Sequence, residues 1–312
     1  MKKISYIFPI YNEEENIPLL YKTISRTVAP IENKYTIEII FINDGSKDKS
    51  LQLLKNIQSN DSRVRVIDFA RNFGHQIAVT AGLDYSTGDA AIIMDSDMQD
   101  PPRVSLELIK EWENGYDVAY AQRKSRKDGL FKKLSADLFY RTLQRLADID
   151  IPRNTGDFRL IDRKVIDQLK LFKEHNRFLR GMVSYVGYKQ IAVQFDRDER
   201  HAGVTGYPFK KMVQFAYDGI FSFSSSPLKA ISRLGFGIAI LSILGILYAL
   251  VVFALGHSVA GWTFTVISIF FIGGIQLIML GVLGGYIGRI YTEVQDRPLY
   301  GIASITETKN QK

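Results

Sequence analysis

Cysteine is absent from the 312 residues, which excludes a disulfide framework and every thiolate-ligated metal centre. Histidine is scarce, with four residues at positions 75, 175, 201 and 257, so a multi-histidine metal centre is not expected. No G-x-G-x-x-G follows the first apolar run and no G-x-x-x-x-G-K-[ST] occurs, which removes the main sequence support for dinucleotide binding and P-loop hydrolysis. A signal peptide is not expected either: the apolar run from Ile4 to Ile10 is short, contains Pro9 and leads straight into Glu13, Glu14 and Glu15. The most informative absence is of charge. From Leu234 to Gly288, 55 consecutive residues include no Lys, Arg, Asp or Glu.

A soluble core seldom contains such a stretch, whereas two membrane helices of about 20 residues each and a short turn fill it. The expected spans are 236–255 and 264–284, which argues against a purely cytoplasmic enzyme. Lys229 and Arg233 precede the first span and Arg289 follows the second, while the connection carries only His257. Both termini are therefore expected in the cytoplasm, on the inner face of the plasma membrane. Ahead of the spans, residues 207–232 mix Phe209, Phe215, Tyr217 and Phe221 with Lys210, Lys211 and Lys229, as an amphipathic interfacial segment does, or one that packs against the catalytic domain. Gly273, Gly274, Gly281, Gly284 and Gly288 allow close helix approach within a protomer or in a homo-oligomer.

All charge lies outside that stretch, with 40 Lys and Arg against 33 Asp and Glu for a formal +7. Anionic partners are favoured: phospholipid, nucleotide or nucleic acid. Nucleic acid is not expected, since no helix-turn-helix or RNA-binding pattern is present and the chain carries a membrane anchor.

The first 120 residues alternate in the manner of a mostly parallel α/β sheet. Strands are expected at 4–10, 37–42, 64–69, 90–94 and 118–121, with helices near 49–58, 76–85 and 104–113. Asn12 and Glu15 resemble a capping box opening a further helix to about Ala29. Weaker strand candidates follow at 154–161, 182–188 and 191–195. Between them, residues 122–133 carry six basic side chains and one Asp, which reads as solvated surface or as a loop able to close over phosphates.

Acid follows the strands: Glu13 after the first, Asp44 after the second, Asp95 and Asp97 after the fourth. In open parallel sheets these carboxyl ends line the edge where ligands bind. Two carboxylates two residues apart past a buried strand can share one divalent ion as it bridges a substrate diphosphate. A bare Asp-x-Asp is also a common solvated turn; the acids at neighbouring strand ends favour the ligand-binding reading. Asp44 can accept from a nucleotide base or ribose, and the Tyr11 ring can pack near the base. Asp157 sits in the polar loop Asn154-Thr-Gly-Asp157, where an Asx-turn or helix cap is the structural alternative.

Phe8-Pro-Ile-Tyr-Asn-Glu13, Phe41-Ile-Asn-Asp-Gly-Ser46, Asp95-Ser-Asp97 with Gln99-Asp-Pro-Pro102, Asn154-Thr-Gly-Asp-Phe-Arg159 and the two C-terminal spans occur in an order that resembles the inverting family 2 glycosyltransferases of GT-A fold. The resemblance is to their polyprenyl-phosphate branch, akin to dolichyl-phosphate mannose synthase and bacterial undecaprenyl-phosphate glucosyltransferases, and it covers the whole chain. It implies that Pro9, Tyr11, Glu13, Asp44 and Asp95 surround the sugar nucleotide, and that Asp95, Asp97 and Gln99 place Mg²⁺ or Mn²⁺ on its diphosphate. Asp157, with Asp97, falls among the catalytic positions, as a base or as an orienting carboxylate. Arg123, Lys132, Lys133, Ser135, Arg197, Arg200 and Lys210 fall where the branch binds the acceptor phosphate. Gly203-Val-Thr-Gly-Tyr207 departs from the family's Gly-x-Ser-Lys-Tyr-like segment by having Gly206 in place of Lys, which shifts phosphate binding toward Arg200 or Lys210.

The implied reaction is transfer of a hexose to polyprenyl phosphate with inversion. UDP-glucose is the first choice of donor, with GDP-mannose or a UDP-amino-sugar as alternatives. The expected organisation is a catalytic domain over 1–206, an interfacial segment over 207–232, two spans within 233–289 and a cytoplasmic tail over 290–312. A membrane-tethered scaffold gripping anionic lipid is the non-enzymatic alternative, and it requires that the carboxylates be dispensable.

Overall fold

The computed structural model describes residues 1–124, 152, 155–196, 226–255 and 261–307. In the N-terminal half, strands and helices alternate: β1 (Lys2–Ile10), α1 (Ile17–Val28), β2 (Tyr35–Asn43), α2 (Ser50–Asn60), β3 (Val64–Phe69), α3 (His75–Tyr85), β4 (Ala90–Ile93), α4 (Val104–Glu113) and β5 (Val118–Arg123). Then come β6 (Thr155–Asp162), α5 (Arg163–Leu169), α6 (Leu179–Val186), β7 (Gln190–Phe195), the long helices α7 (Ser226–Ala254) and α8 (Trp262–Val294), and β8 (Ile302–Thr306).

The eight strands form one sheet in the order β7-β5-β6-β4-β1-β2-β3-β8. β1 runs parallel to β2 and β4, and it is buried from Ile4 to Ile10 because helices cover both faces. Its side chains alternate accordingly. Ile4, Tyr6, Phe8 and Ile10 join the core that includes α1, α2 and α4, whereas Ile7 faces α3, α5 and α6. Gly82 lets α3 lie close on the sheet, since a Cβ there would stand 2.3 Å from Ile7 Cγ2.

The connections from β1 lead outward on both sides, to β2 and β3 one way and to β4 the other, which opens a crevice at the carboxyl ends of β1, β2 and β4. β6 enters this edge from the opposite direction, being antiparallel to both β4 and β5. With Ile93 opposite Arg159, the residues just beyond β4 and the first residues of β6 meet at the same edge.

The α1 capping box is not formed. Asn12 has a positive φ of 54°, the helix begins at Ile17, and the Glu13 carboxylate instead accepts from Asn16 Nδ2 at 2.5 Å. The 182–188 segment is also different, since Leu179, Met182 and Val183 recur at helical spacing and are buried on one face of α6, which closes at Gly187 with φ 77°. Residues 290–312, read as a tail, contain the last turn of α8 and strand β8, which pairs antiparallel with β3.

Among the described residues, two helices are long and apolar enough to cross a membrane, with candidate spans Pro227–Gly245 and Phe271–Val294. They touch each other where Gly235 meets Met279. Phe236, Leu241, Tyr248, Phe271, Leu277 and Ile287 stand exposed along them. At 1.5 Å per residue, the 33 residues of α8 extend about 50 Å, longer than a hydrocarbon core of about 30 Å.

Candidate functional site

Three strand ends supply the crevice. After β2, Asp44 is 3% exposed, and its carboxylate accepts from the backbone N–H groups of Phe73 (2.6 Å) and Gly74 (3.0 Å). Asn72 Nδ2 donates to the Asp44 carbonyl at 3.1 Å, so the turn after β2 holds the turn after β3. Gly45, at φ +66°, makes this approach possible, because a Cβ would lie 2.5 Å from the Arg71 carbonyl carbon. Burial pushes the Asp44 carboxyl up, against the opposing pull of those two N–H groups, His75 and Arg71. Both Asp44 oxygens are thus engaged with the loop, and each retains a further lone pair.

Pro9 is buried within β1 opposite Ile42, and its carbonyl accepts from Ser96 Oγ at 3.4 Å. Just past the strand, the Tyr11 ring is 45% exposed at the crevice edge. Glu13 is turned toward α1, with its backbone N–H donating to Ser50 Oγ at 2.9 Å.

After β4, Asp95 Oδ1 is enclosed and accepts no hydrogen bond within the described residues. His75 Nε2 stands 3.5 Å from it. Burial raises the Asp95 carboxyl; His75 opposes the shift, while the charges of Asp157 and Asp97 add to it. Asp97 is buried and accepts from the Gln99 backbone N–H at 3.1 Å across a turn in which Met98 takes a positive φ of 60°. A non-glycine residue in that region is held there by its surroundings, and such strain clusters at functional sites.

Asp157, at the start of β6, is where the site converges. It is 5% exposed and receives Arg180 Nε at 2.8 Å, Gln76 Nε2 at 2.9 Å and His75 Nε2 at 3.2 Å. Burial alone would raise its carboxyl, but the Arg180 guanidinium and His75 outweigh burial and hold it well below the usual carboxylate range. His75 responds in kind: burial disfavours its charged form, yet Asp157 and Asp95 lift its pKa to about 9. Gln76 also ties two elements together, since its Oε1 accepts the Leu179 N–H at the start of α6 while its amide holds Asp157. Arg159, buried two residues further on, donates to the Gly156 carbonyl at 3.0 Å, and burial lowers its pKa to about 10.

The structure therefore brings Asp44, Asp95, Asp97, Gln99 and Asp157 to one sheet edge, with Pro9, Tyr11 and Glu13 on its β1 side. Arg123, the last residue of β5, joins them: its guanidinium lies 3.5 Å from where a Cβ on Gly156 would stand. Lys132, Lys133, Ser135, Arg197, Arg200 and Lys210 lie outside the described residues, as do 207–225 of the interfacial segment. His75, Gln76 and Arg180 are not among the residues picked out from sequence. The first two carried an available signal, because they follow Asn72-Phe-Gly74 at the end of β3, on the same ligand-binding edge. Arg180 gave none, being brought in by the packing of α6.

Among the described residues, no group of three His, Cys, Asp or Glu is arranged to hold a metal ion. Two carboxylates nevertheless fit a Mg²⁺-like ion, which commonly takes one or two protein carboxylates together with substrate phosphates. Asp95, with an enclosed oxygen short of donors and two neighbouring negative charges, is suited to such a cation.

The profile of the family described as glycosyl transferase family 2 matches residues 5–170. An uncharacterized glycosyltransferase of Bacillus subtilis, YkcC, is 47% identical over 99% of this chain and 95% of that protein. The bactoprenol glucosyl transferase of Shigella phage SfX is 42% identical over 97% of this chain and 99% of its own length. Among solved structures, the chain is similar to glucosyl-3-phosphoglycerate synthase from Mycobacterium tuberculosis in complex with Mn²⁺, UDP and phosphoglyceric acid. That match has 17% identity and a TM-score of 0.45, and covers 70% of this chain and 76% of that one.

Proposed function

The chain belongs to glycosyl transferase family 2, and on that premise we propose that it transfers glucose from UDP-glucose to the phosphate of a membrane polyprenol with inversion. The bactoprenol glucosyl transferases, similar over nearly the full length including the apolar helices, support this choice of donor sugar and acceptor. The observation that carries the reading is the pairing at one sheet edge of Asp95, with its enclosed oxygen, and Asp157, held ionised by three donors.

In the proposed reaction an oxygen of the acceptor phosphate attacks the anomeric carbon from the side opposite the diphosphate. The new carbon–oxygen bond forms as the bond to the diphosphate breaks, and UDP leaves with the electron pair. Asp95 and Asp97, with Gln99, would hold a divalent ion, which when bound supplies positive charge to the departing diphosphate. Asp44 and Tyr11 line the nucleotide end, with Asp44 fixing the 71–74 turn as one wall. Arg123 stands on the far side of the crevice, beside Gly156, where it can receive the acceptor phosphate.

Asp157 acts here as an orienting group. A general base is most effective with a pKa near the working pH, whereas Asp157 is held far below it. A base is not needed, because the second pKa of a phosphate monoester is about 6 and the acceptor is already an anionic nucleophile at neutral pH.

The route of the chain supports a membrane location with both ends on one side. β3 precedes the two apolar helices and β8 follows them, yet the two strands pair in one sheet. An even number of crossings satisfies that pairing, and the flanking Lys229, Arg233 and Arg289 favour the cytoplasmic side. A panel of radiolabelled UDP-glucose, GDP-mannose and UDP-N-acetylglucosamine, incubated with purified protein and undecaprenyl phosphate, tests the donor. Label should enter the organic phase from UDP-glucose; incorporation from another donor alone would reassign the sugar.

A further inference from the structure

Outside the hairpin of α7 and α8, large apolar side chains exposed among the described residues are few: Met1, Tyr11, Leu171, Tyr185 and Ile305. Met1 is the first residue, Tyr11 lies at the crevice and Ile305 is on β8. Leu171 and Tyr185, at 69% and 64% exposure, have no such explanation. Leu171 sits in the turn after α5 and directly precedes Phe172, whose ring meets Tyr185 edge-on at 5.8 Å.

The position of this pair relative to the second apolar helix is fixed by His175. Its backbone N–H and Nδ1 lie 2.9 and 3.0 Å from the Glu293 carboxylate, and its Nε2 lies 2.6 Å from the Arg297 carbonyl. Glu293 is the penultimate residue of the candidate span Phe271–Val294. Four residues of chain reach at most about 14 Å, so Leu171 stays close to the C-terminal end of α8.

We propose that Leu171, Phe172 and Tyr185 form a second membrane contact, by which the catalytic domain itself dips into the headgroup region of the bilayer beside α8. The inference rests on the reading that α7 and α8 span a membrane. The chemistry is that of an interface: a leucine for the acyl boundary, a tyrosine with an apolar ring and a polar tip, and the exposed Lys173 for anionic headgroups. Together with α8, the contact gives the catalytic domain two separated points of attachment. That restricts its tilt, and so holds the crevice at the depth of a lipid phosphate.

Because the protein has no cysteine, single-cysteine variants carry a reporter cleanly. Leu171→Cys and Tyr185→Cys, each labelled with bimane in the full chain, are reconstituted into nanodiscs of phosphatidylglycerol and phosphatidylethanolamine with nitroxide lipids. Ser59→Cys, on the exposed end of α2, serves as the water-facing reference and Leu277→Cys, in the middle of α8, as the bilayer reference. Both patch variants should lose fluorescence to a nitroxide near the headgroup, Leu277→Cys to one deep in the chain, and Ser59→Cys to neither. Quenching at Leu277→Cys while both patch variants stay as bright as Ser59→Cys overturns the proposal alone. In that case aqueous iodide distinguishes an open surface, which it quenches, from one covered by residues 197–225 or a second copy. A bright Leu277→Cys would instead overturn the spanning reading and the proposal with it.

Discussion

Each carboxylate in the crevice has a different electrostatic task, and substitutions should separate them. Asp95 has an enclosed oxygen that accepts no hydrogen bond among the described residues and is proposed to hold the divalent ion, so Asp95→Asn should cost about 100-fold or more in kcat with little change in protein abundance. Calorimetry of UDP binding across a Mn²⁺ titration checks it, with the metal-dependent component lost. Asp157 is held by Arg180, Gln76 and His75, so weakening its support should impair turnover while sparing nucleotide affinity. Removing Arg180 leaves a buried carboxylate without its main counter-charge, and Arg180→Ala should lower stability by about 3 kcal/mol. Gln76→Leu deprives both Asp157 and the Leu179 N–H of a partner and should cost about 2 kcal/mol. Chemical denaturation measures both losses, and kcat against KM for UDP-glucose shows whether the donor site is spared. The pH profile follows from the low pKa of Asp157. Its carboxylate stays charged as pH falls from 8 to 5 and so should not shape the acidic limb of kcat/KM for the acceptor; with donor and divalent ion saturating, which keeps Asp44 and Asp95 ionised, that limb should come from the acceptor phosphate. That limb should fall at about pH 6 and should persist in the residual activity of Asp157→Asn. Asp44, Asp95 and Asp97 were legible in the sequence because they follow apolar strands, and Asp157 because it ends the polar loop Asn154-Thr-Gly-Asp157 that the resemblance picks out; the donors to Asp157 were not, because their convergence depends on how α3 and α6 pack.

Among the elements, α3 lies close on the sheet through a glycine. Gly82 meets Ile7 and Ile42, and a Cβ there would stand 2.3 and 2.9 Å from their side-chain atoms. Gly82→Ala should therefore destabilise the catalytic domain by about 1–3 kcal/mol through overpacking, lowering Tm while KM for UDP-glucose stays unchanged in the folded fraction. The strands of the first half were readable as short apolar runs, and β3 and α4 occupy the expected residues. Direction was not readable: nothing in the run of β6 shows that it enters antiparallel between β4 and β5. That reversal is what delivers Asp157 to Asp95. β8 escaped notice because an edge strand pairing on one side needs only a short, alternating segment, Ile302-Ala-Ser-Ile-Thr306. α6 resembled a strand because its apolar residues are few and β-branched Val183 and Val186 lie among them.

For the molecule as a whole, the pairing of β8 with β3 encloses the two apolar helices between segments of the same sheet. Tyr300 strengthens that closure, stacking on Phe69 at 5.2 Å and donating to Asp84 at 2.9 Å. A cysteine at Ser258, in the connection between the helices, should react with a membrane-impermeant maleimide in intact cells, whereas one at Ser304 should react only after lysis. The crevice is proposed to carry out glucosyl transfer to a lipid phosphate. The most direct test measures transfer of radiolabelled glucose from UDP-glucose to undecaprenyl phosphate by the wild-type protein, Asp95→Asn and Asp157→Asn at equal folded amounts. Label should appear in the organic phase for the wild type, dependent on Mg²⁺ or Mn²⁺ and nearly abolished in both variants. Wild-type incorporation that survives unchanged in the two variants would contradict this proposal.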